Sequence, residues 1–215
     1  MTETTDRRPA PRTTGLLIHA AVRYDFMVWL FTLGRERAFR EQILGFANLT
    51  PGEAVLDVGC GTGSLAIAAK RHVGSTGTVY GIDASPEMLA RAGKKAAKTG
   101  LEVVFRNGAA QALPFADGQF DAVLSTLLLH HLPRTARQQC ASEMRRVLKP
   151  GGRALVVDFA GSADRESSLR AHIHRHGHVK LGEIIALLGE AGLTITDSGA
   201  VGFRNLQFVR ASLPG

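Results

Sequence analysis

Two spacings of apolar residues alternate along the chain. From Glu53 onward, short runs rich in Val, Ile and Leu are separated by longer segments in which apolar positions recur at helical intervals. Runs that are apolar throughout suit strands covered on both faces, and the longer segments suit helices packed on them. The alternation therefore predicts βα units around a mostly parallel sheet, a doubly wound α/β domain. Predicted strands are Ala54–Val58, Thr78–Ile82, Val103–Phe105, Phe120–Leu124, Arg153–Asp158, Thr194–Thr196 and Phe203–Arg210. Predicted helices are Gly63–His72, Pro86–Lys98, Thr135–Leu148 and Lys180–Ala191. Ser85 before Pro86 reads as an N-cap with proline at the first helical position, and Gly100 as the C-terminal stop. Lys149-Pro150-Gly151-Gly152 reads as a turn between helix and strand.

Ahead of the sheet, Leu16–Leu33 and Glu36–Phe46 predict two helices. The first has a dense apolar surface that includes Tyr24, Phe26, Trp29 and Phe31 and must bury it against something. A cap over the open end of the sheet is the expected place; peripheral membrane contact would suit a lipid-like ligand. The polar, Pro-containing start predicts a disordered lead-in over 1–14 and one domain over 15–215, with a helical cap at 15–46, a core at 50–160 and a ligand-covering segment at 160–180.

Composition narrows this picture. The 215 residues suit one domain with a sizeable core. The net charge of +7 raises the question of nucleic acid, but Lys94–Lys98 and Arg145–Lys149 lie on predicted helices without interleaved aromatics. They read as solvated faces, and no dedicated nucleic-acid surface is expected. Two cysteines, Cys60 and Cys140, cannot build a disulfide framework or a zinc knuckle, which suits a reducing, cytoplasmic setting. The apolar stretch after the basic start carries His19, Arg23 and Asp25 and no small-residue cleavage site, which speaks against a signal peptide.

The chemistry concentrates at Ala54-Val55-Leu56-Asp57-Val58-Gly59-Cys60-Gly61-Thr62-Gly63, a buried strand running into a glycine turn and then a helix. Such a turn lets a ligand approach the backbone, and the helix start offers unpaired N–H donors. Its spacing is G-x-G-x-G, not the G-x-G-x-x-G of dinucleotide sites, because Gly63 comes one residue early and Ser64 follows. That favours S-adenosylmethionine (SAM) over a nicotinamide dinucleotide. Asp57 can meet the ammonium of a methionine moiety, where a pyrophosphate would gain nothing. Asp83, at the end of the next strand, can accept hydrogen bonds from ribose hydroxyls.

These residues, followed in order by Ala112-Leu113-Pro114-Phe115, Gln119-Phe120-Asp121-Ala122-Val123 and Glu143-Met144-Arg145-Arg146-Val147-Leu148-Lys149-Pro150-Gly151-Gly152, resemble the class I SAM-dependent methyltransferases. Arg23-Tyr24-Asp25-Phe26-Met27 is similar to the start of the ubiquinone/menaquinone C-methyltransferase-like subgroup. The resemblance implies a Rossmann-like seven-stranded sheet with Phe203–Arg210 inserted antiparallel and SAM across the strands' carboxyl ends. It implies cofactor contacts at Tyr24, Asp57, Gly59, Cys60, Gly61, Gly63, Asp83, Ala84, Met88, Gly108, Ala109, Ala110 and Thr126. Asn107-Gly108-Ala109-Ala110 departs from the family, which often carries an acid there, so the backbone near Ala109 and Ala110 is expected to hold the adenine.

The resemblance also sets Ser125–Leu132 beside cofactor and substrate, making His130 and His131 candidate proton acceptors. The alternative is that one of them only packs or caps the next helix. Four alternating histidines at His172, His174, His176 and His178 leave three readings open: metal binding, pocket lining or surface loop; pocket lining would bring His176 or His178 to the acceptor. The expected activity is methyl transfer from SAM to a small molecule, quinol-, phenol- or lipid-like. A non-catalytic SAM-binding subunit and an NAD(P)-dependent reductase are the alternatives.

Overall fold

The computed structural model describes Asp25, Val28, Leu30 and residues 32–160 and 179–215. Asp25, Val28 and Leu30 are helical. Then come α1 (Glu36–Ala47), β1 (Ala54–Val58), α2 (Ser64–Val73), β2 (Thr78–Asp83), α3 (Pro86–Thr99), β3 (Val104–Asn107) and β4 (Phe120–Thr126). A 3-10 turn (Leu129–His131), α4 (Arg134–Val147), β5 (Leu148–Phe159), α5 (Leu181–Glu190), β6 (Thr194–Ala200) and β7 (Leu206–Ser212) complete the order.

The seven strands form one sheet in the order β3-β2-β1-β4-β5-β7-β6. β3 through β5 run parallel, and β7 enters antiparallel between β5 and β6. The expected α/β class and seven-stranded, mostly parallel sheet are thus present. Strand order reverses between β1 and β4, the switch point where a crevice opens at the carboxyl ends of open α/β sheets.

β1 shows how the sequence produces this. Leu56 and Val58 join the core of α4 and α5, whereas Val55 joins that of α1 and α2. A strand covered on both faces has no polar alternation to display. Tyr80, Phe115 and Phe120 meet edge to face, with centroids 5.1–5.6 Å apart, and Phe120 is fully buried. Truncating Phe120 to Ala would cost about 3–5 kcal/mol.

The downstream motifs are scaffold. Arg146 bonds Glu143, Asp117 and the carbonyls of Leu113 and Phe115, while the Leu113 amide donates to Glu143 at 2.6 Å. One guanidinium thereby ties Ala112–Phe115 to α4. Arg153 clamps Glu53 through both nitrogens at 2.8 Å and caps the carbonyls of Ala47 and Asn48 at the end of α1.

The largest departures from the expected element bounds are at β5, β6 and β7. Lys149–Gly152 is a bulge within β5, since Phe120 pairs with Leu148 and Ala122 with Arg153; Leu213 supplies the backbone partners of Gly151 and Gly152. β6 extends to Ala200 because Asp197, Ser198 and Gly199 sit on an exposed edge strand, where apolar patterning is absent. β7 begins at Leu206, because Arg204 turns the chain at φ 51° and Phe203 packs on Phe39, ring centroids 5.0 Å apart. The lead-in, most of the predicted Leu16–Leu33 helix and the histidine run lie outside the described residues. Among those described, no helix is long and apolar enough to cross a membrane.

Candidate functional site

The glycine turn leaves β1 with Gly59 N and Cys60 N both donating to Ile82 O, at 2.8 and 3.0 Å. Gly59, Gly61 and Gly63 have φ of 73°, 53° and 76°, the left-handed region in which a side chain is strained. Space adds a second reason. A Cβ on Gly59 would lie 2.9 Å from Leu128, and one on Gly63 would lie 2.8 Å from Ala92 and Phe105. The turn thus packs against α3 on one side and the loop after β4 on the other.

Asp83, ending β2, locks the turn from beside it. Its Oδ2 accepts from Gly61 N at 2.8 Å and its Oδ1 from Ser85 N at 2.9 Å. Burial raises its carboxyl above the usual range, with those amides opposing. Ala84 is half-buried, while Met88 is buried and its amide bonds the Ser85 hydroxyl at 3.4 Å. Gly108 N and Asn107 Nδ2 both donate to Asp83 O, at 3.1 and 3.0 Å, bringing Gly108, buried Ala109 and half-buried Ala110 beside Asp83.

Asp57 is only 2% exposed, and its Oδ2 has no hydrogen-bond partner. Burial pushes its carboxyl up to about 7, against the pull of the Arg40 guanidinium and with a push from Asp83. Arg40, 8% exposed on α1, likewise has an unpartnered Nε, and Thr126 an unpartnered Oγ1. These three line one small cavity with Gly59, Cys60, Thr62, Ser64 and Leu65. A carboxylate oxygen, a guanidinium nitrogen and a hydroxyl left without partners in one cavity are costly unless something else pairs with them. Sequence reasoning missed Arg40, which carries no signal beyond its place on an amphipathic helix.

Asp25 joins the N-terminal helix to this turn. It accepts from Thr62 Oγ1, Lys95 Nζ and Arg91 Nε, each at 2.7 Å. Burial alone would raise its carboxyl; the bonds from Lys95, Thr62 and Arg91 outweigh that and hold it below the usual range.

At the far side of the crevice, Leu127 adopts φ 57°, an uncommon conformation for a non-glycine residue, and the 3-10 turn follows. His130 Nδ1 lies 2.7 Å from Asp158 Oδ1, and His130 N donates to Asp158 Oδ2 at 3.2 Å. The His131 ring lies 3.9 Å from that of His130. Asp158 was not singled out from sequence, although it ends a predicted strand as Asp57 and Asp83 do. The fold thus collects every described candidate at one sheet edge, in two groups. Tyr24, His176 and His178 lie outside the described residues.

Comparison with known proteins bears on the domain and the fold. The family described as methyltransferase domain matches residues 55–152. A demethylmenaquinone methyltransferase of Halalkalibacterium halodurans is 40% identical over 63% of this chain and 55% of its own length. A ubiquinone/menaquinone biosynthesis C-methyltransferase of Bordetella avium is 38% identical over 65% of this chain and 54% of its own. The chain thus spans little more than half the length of these relatives. A SAM-dependent methyltransferase structure from Aquifex aeolicus aligns with TM-score 0.72 and 24% identity, covering 90% of this chain and 98% of that one. The last comparison establishes the fold.

Proposed function

We propose that the chain, which matches a methyltransferase domain over residues 55–152, transfers a methyl group from SAM to a small molecule, quinol- or phenol-like. The observation that carries the reading is the partnerless Oδ2 of buried Asp57 beside the Gly59–Gly63 turn. A carboxylate retained there at the cost of burial fits an incoming ammonium, and the unpartnered Nε of Arg40 in the same cavity fits the carboxylate of the same amino-acid group.

In this reading Asp57 and Arg40 hold the methionine end, while Thr126 and Cys60 line it. Each oxygen of Asp83, already bonded to one backbone amide, keeps a lone pair for a ribose hydroxyl. Ala84, Met88 and the backbone of Gly108, Ala109 and Ala110 surround the adenine. When bound, SAM supplies a methyl group activated by its sulfonium charge. Alignment of the acceptor can contribute on the order of 7–11 kcal/mol, and a histidine of the pair His130 and His131 removes the acceptor proton. The names of the relatives in Halalkalibacterium halodurans and Bordetella avium support a quinol acceptor. Two buried free cysteines, Cys60 and Cys140, suit a reducing cytoplasmic setting.

Calorimetric titration with SAM and with NADH tests the cofactor. Binding of SAM and not NADH is expected; the reverse sinks the reading. Labelled SAM with hydroquinones, phenols and amines then tests transfer. Acceptor-dependent formation of S-adenosylhomocysteine is expected, and SAM binding without turnover across the panel identifies a non-catalytic subunit.

A further inference from the structure

We propose that the outer face formed by α1, α2 and α3, with Leu30 and Leu33 on its rim, docks on an anionic lipid bilayer, its cavity taking a phosphate headgroup. Such docking adds a partner to the methyl-transfer reading and does not depend on it.

A cavity of about 390 Å³ lies between the three helices, lined by Arg37, Arg40, Arg71, Lys95 and Lys98 against only two acids, Glu36 and Glu41. Both acids are already engaged: Glu36 lies 3.5 Å from Arg40, and Glu41 bonds His72 at 2.7 Å. Lys95 holds Asp25 at 2.7 Å. Among the described residues, Arg37, Arg71 and Lys98 have no ion-pair or hydrogen-bond partner. Three open cations around one cavity repel one another and favour an anion with several oxygens, as a phosphate group provides.

Leu30 is 56% and Leu33 73% exposed, and Leu33 is held at φ 51°, a region uncommon for a residue of its bulk. The turn that holds it there is nonetheless closed by bonds. Thr32 Oγ1 donates to Val28 O at 2.9 Å, Leu33 N to Leu30 O at 3.2 Å and Arg35 N to Thr32 O at 2.9 Å. Val28 and Thr32 are buried and anchor a turn that presents both leucines outward. Asp25 is fixed to the cavity residue Lys95, and the cavity residues Glu36 and Arg37 open α1. Leu30 and Leu33 lie in the chain between these two attachments and therefore on the rim of the cavity.

An anionic membrane surface satisfies both features at once, its phosphates meeting the open cations and its acyl chains the leucines. Other occupants satisfy only one. A free phosphorylated molecule or a nucleic acid leaves the leucines in water, and among the described residues no aromatic side chain lines the cavity for a base to stack on. A second copy of this chain, meeting it face to face, brings the same positive charge. Arg40 lines both this cavity and the one beside Asp57, so the docked face adjoins the crevice. An acceptor dissolved in lipid thereby gains a short path to it.

Co-sedimentation of the full chain with vesicles of phosphatidylcholine alone, and of phosphatidylcholine with phosphatidylglycerol, is the test. Binding to the second and not the first is expected, weakening as salt is added. The triple variant Arg37→Gln, Arg71→Gln, Lys98→Gln should lower affinity by about 100-fold, roughly fivefold for each basic side chain near an anionic surface. Leu33→Gly should lower it by about 10-fold, the lower end of what withdrawing a leucine from an apolar phase costs. It should not weaken the fold, because glycine adopts φ 51° without strain. SAM affinity, read by calorimetry, should be unchanged in both variants.

Vesicle binding that is absent, equal on the two compositions or unmoved by Leu33→Gly overturns the docking. So does tighter binding of glycerol 3-phosphate or of single-stranded RNA than of the vesicles, and so does self-association that Leu33→Gly abolishes. Should the triple variant not fold, Leu33→Gly and the salt dependence still decide. Failure of SAM to bind removes the methyl-transfer reading and leaves docking to stand on the vesicle data, whereas SAM binding without vesicle binding removes docking alone.

Discussion

Asp57 and Asp158 stand near the carboxyl ends of two strands of one sheet, 2% and 0% exposed, yet their surroundings are opposite. Asp158 has three donors within 3.2 Å. Asp57 has an empty oxygen, and burial raises its carboxyl to about 7. Burial alone therefore does not tell a positioning acid from a binding acid; the unused hydrogen-bonding capacity does. A satisfied carboxylate orients its partner, and one with an open oxygen beside an arginine with an open Nε has capacity left for a ligand.

The sharpest way to break this contrast is to remove each charge in turn. Asp57→Asn should weaken SAM binding by about 30-fold or more, the lower end of what losing one partner of a buried charge pair costs, and should stabilise the protein at neutral and higher pH. Asp158→Asn should leave SAM affinity unchanged and destabilise by about 1–3 kcal/mol. Calorimetry and denaturant unfolding measure the two effects; a parallel response of both variants would erase the distinction.

The pH dependence carries a sign. The Asp57 carboxyl sits at about 7 in the folded protein against 3.8 in the absence of the fold, so between these values the native state holds a proton that the unfolded chain has released. Stability contributed at this site is lost as pH rises from about 4 to 7, by up to about 4 kcal/mol, and is constant above. The stability advantage of Asp57→Asn over wild type should grow across that window, as unfolding at several pH values will show. SAM affinity should rise across the same window, since an ammonium selects the ionised acid. A flat difference would mean that Asp57 is satisfied in solution.

Arg40→Met separates the two halves of the same cavity. It should weaken S-adenosylhomocysteine by about 10-fold, the scale of one charge-assisted hydrogen bond, and leave methylthioadenosine, which lacks the amino-acid group, unchanged. Equal affinities for S-adenosylhomocysteine in wild type and variant would remove Arg40 from the binding role.

The smallest effect is expected at Asp25. Its partners Lys95 and Arg91 are 26% and 40% exposed, so Asp25→Asn should cost only about 1 kcal/mol. Because its carboxyl is held low, the stability it adds is present above its unfolded value and disappears as pH falls through the folded one. The variant and wild type should therefore converge in thermal melts at acid pH; divergence there would exclude this bridge.

Much of this was legible in the residues because the relevant signals are local. Val55, Leu56 and Val58 announce a strand covered on both faces, Ser85-Pro86 a helix start, and Gly59, Gly61 and Gly63 a turn that side chains would strain. Asp57 and Asp83 follow from their place at strand ends beside that turn. The polar edge strand Thr194–Ala200 was read too short, because an exposed edge needs no apolar pattern. The Lys149–Gly152 bulge was read as a plain turn, because its partners lie at Leu213.

Arg40, Asp158 and Asp25 mark where local reading stops. Arg40 is one arginine among many until α1 places it across a cavity from Asp57. Asp158 and His130 are 28 positions apart and meet only because β4 and β5 are parallel neighbours. Asp25 reaches Thr62, Arg91 and Lys95 across 37 to 70 positions. The sequence by itself determined the elements, the glycine turn and the two acids beside it, since backbone sterics and periodic burial act over a few residues. Only the tertiary structure decided which buried charges are satisfied and which are left open, because hydrogen-bond partners are assigned by strand order and helix packing, which bring distant residues within 3 Å or leave them without a partner.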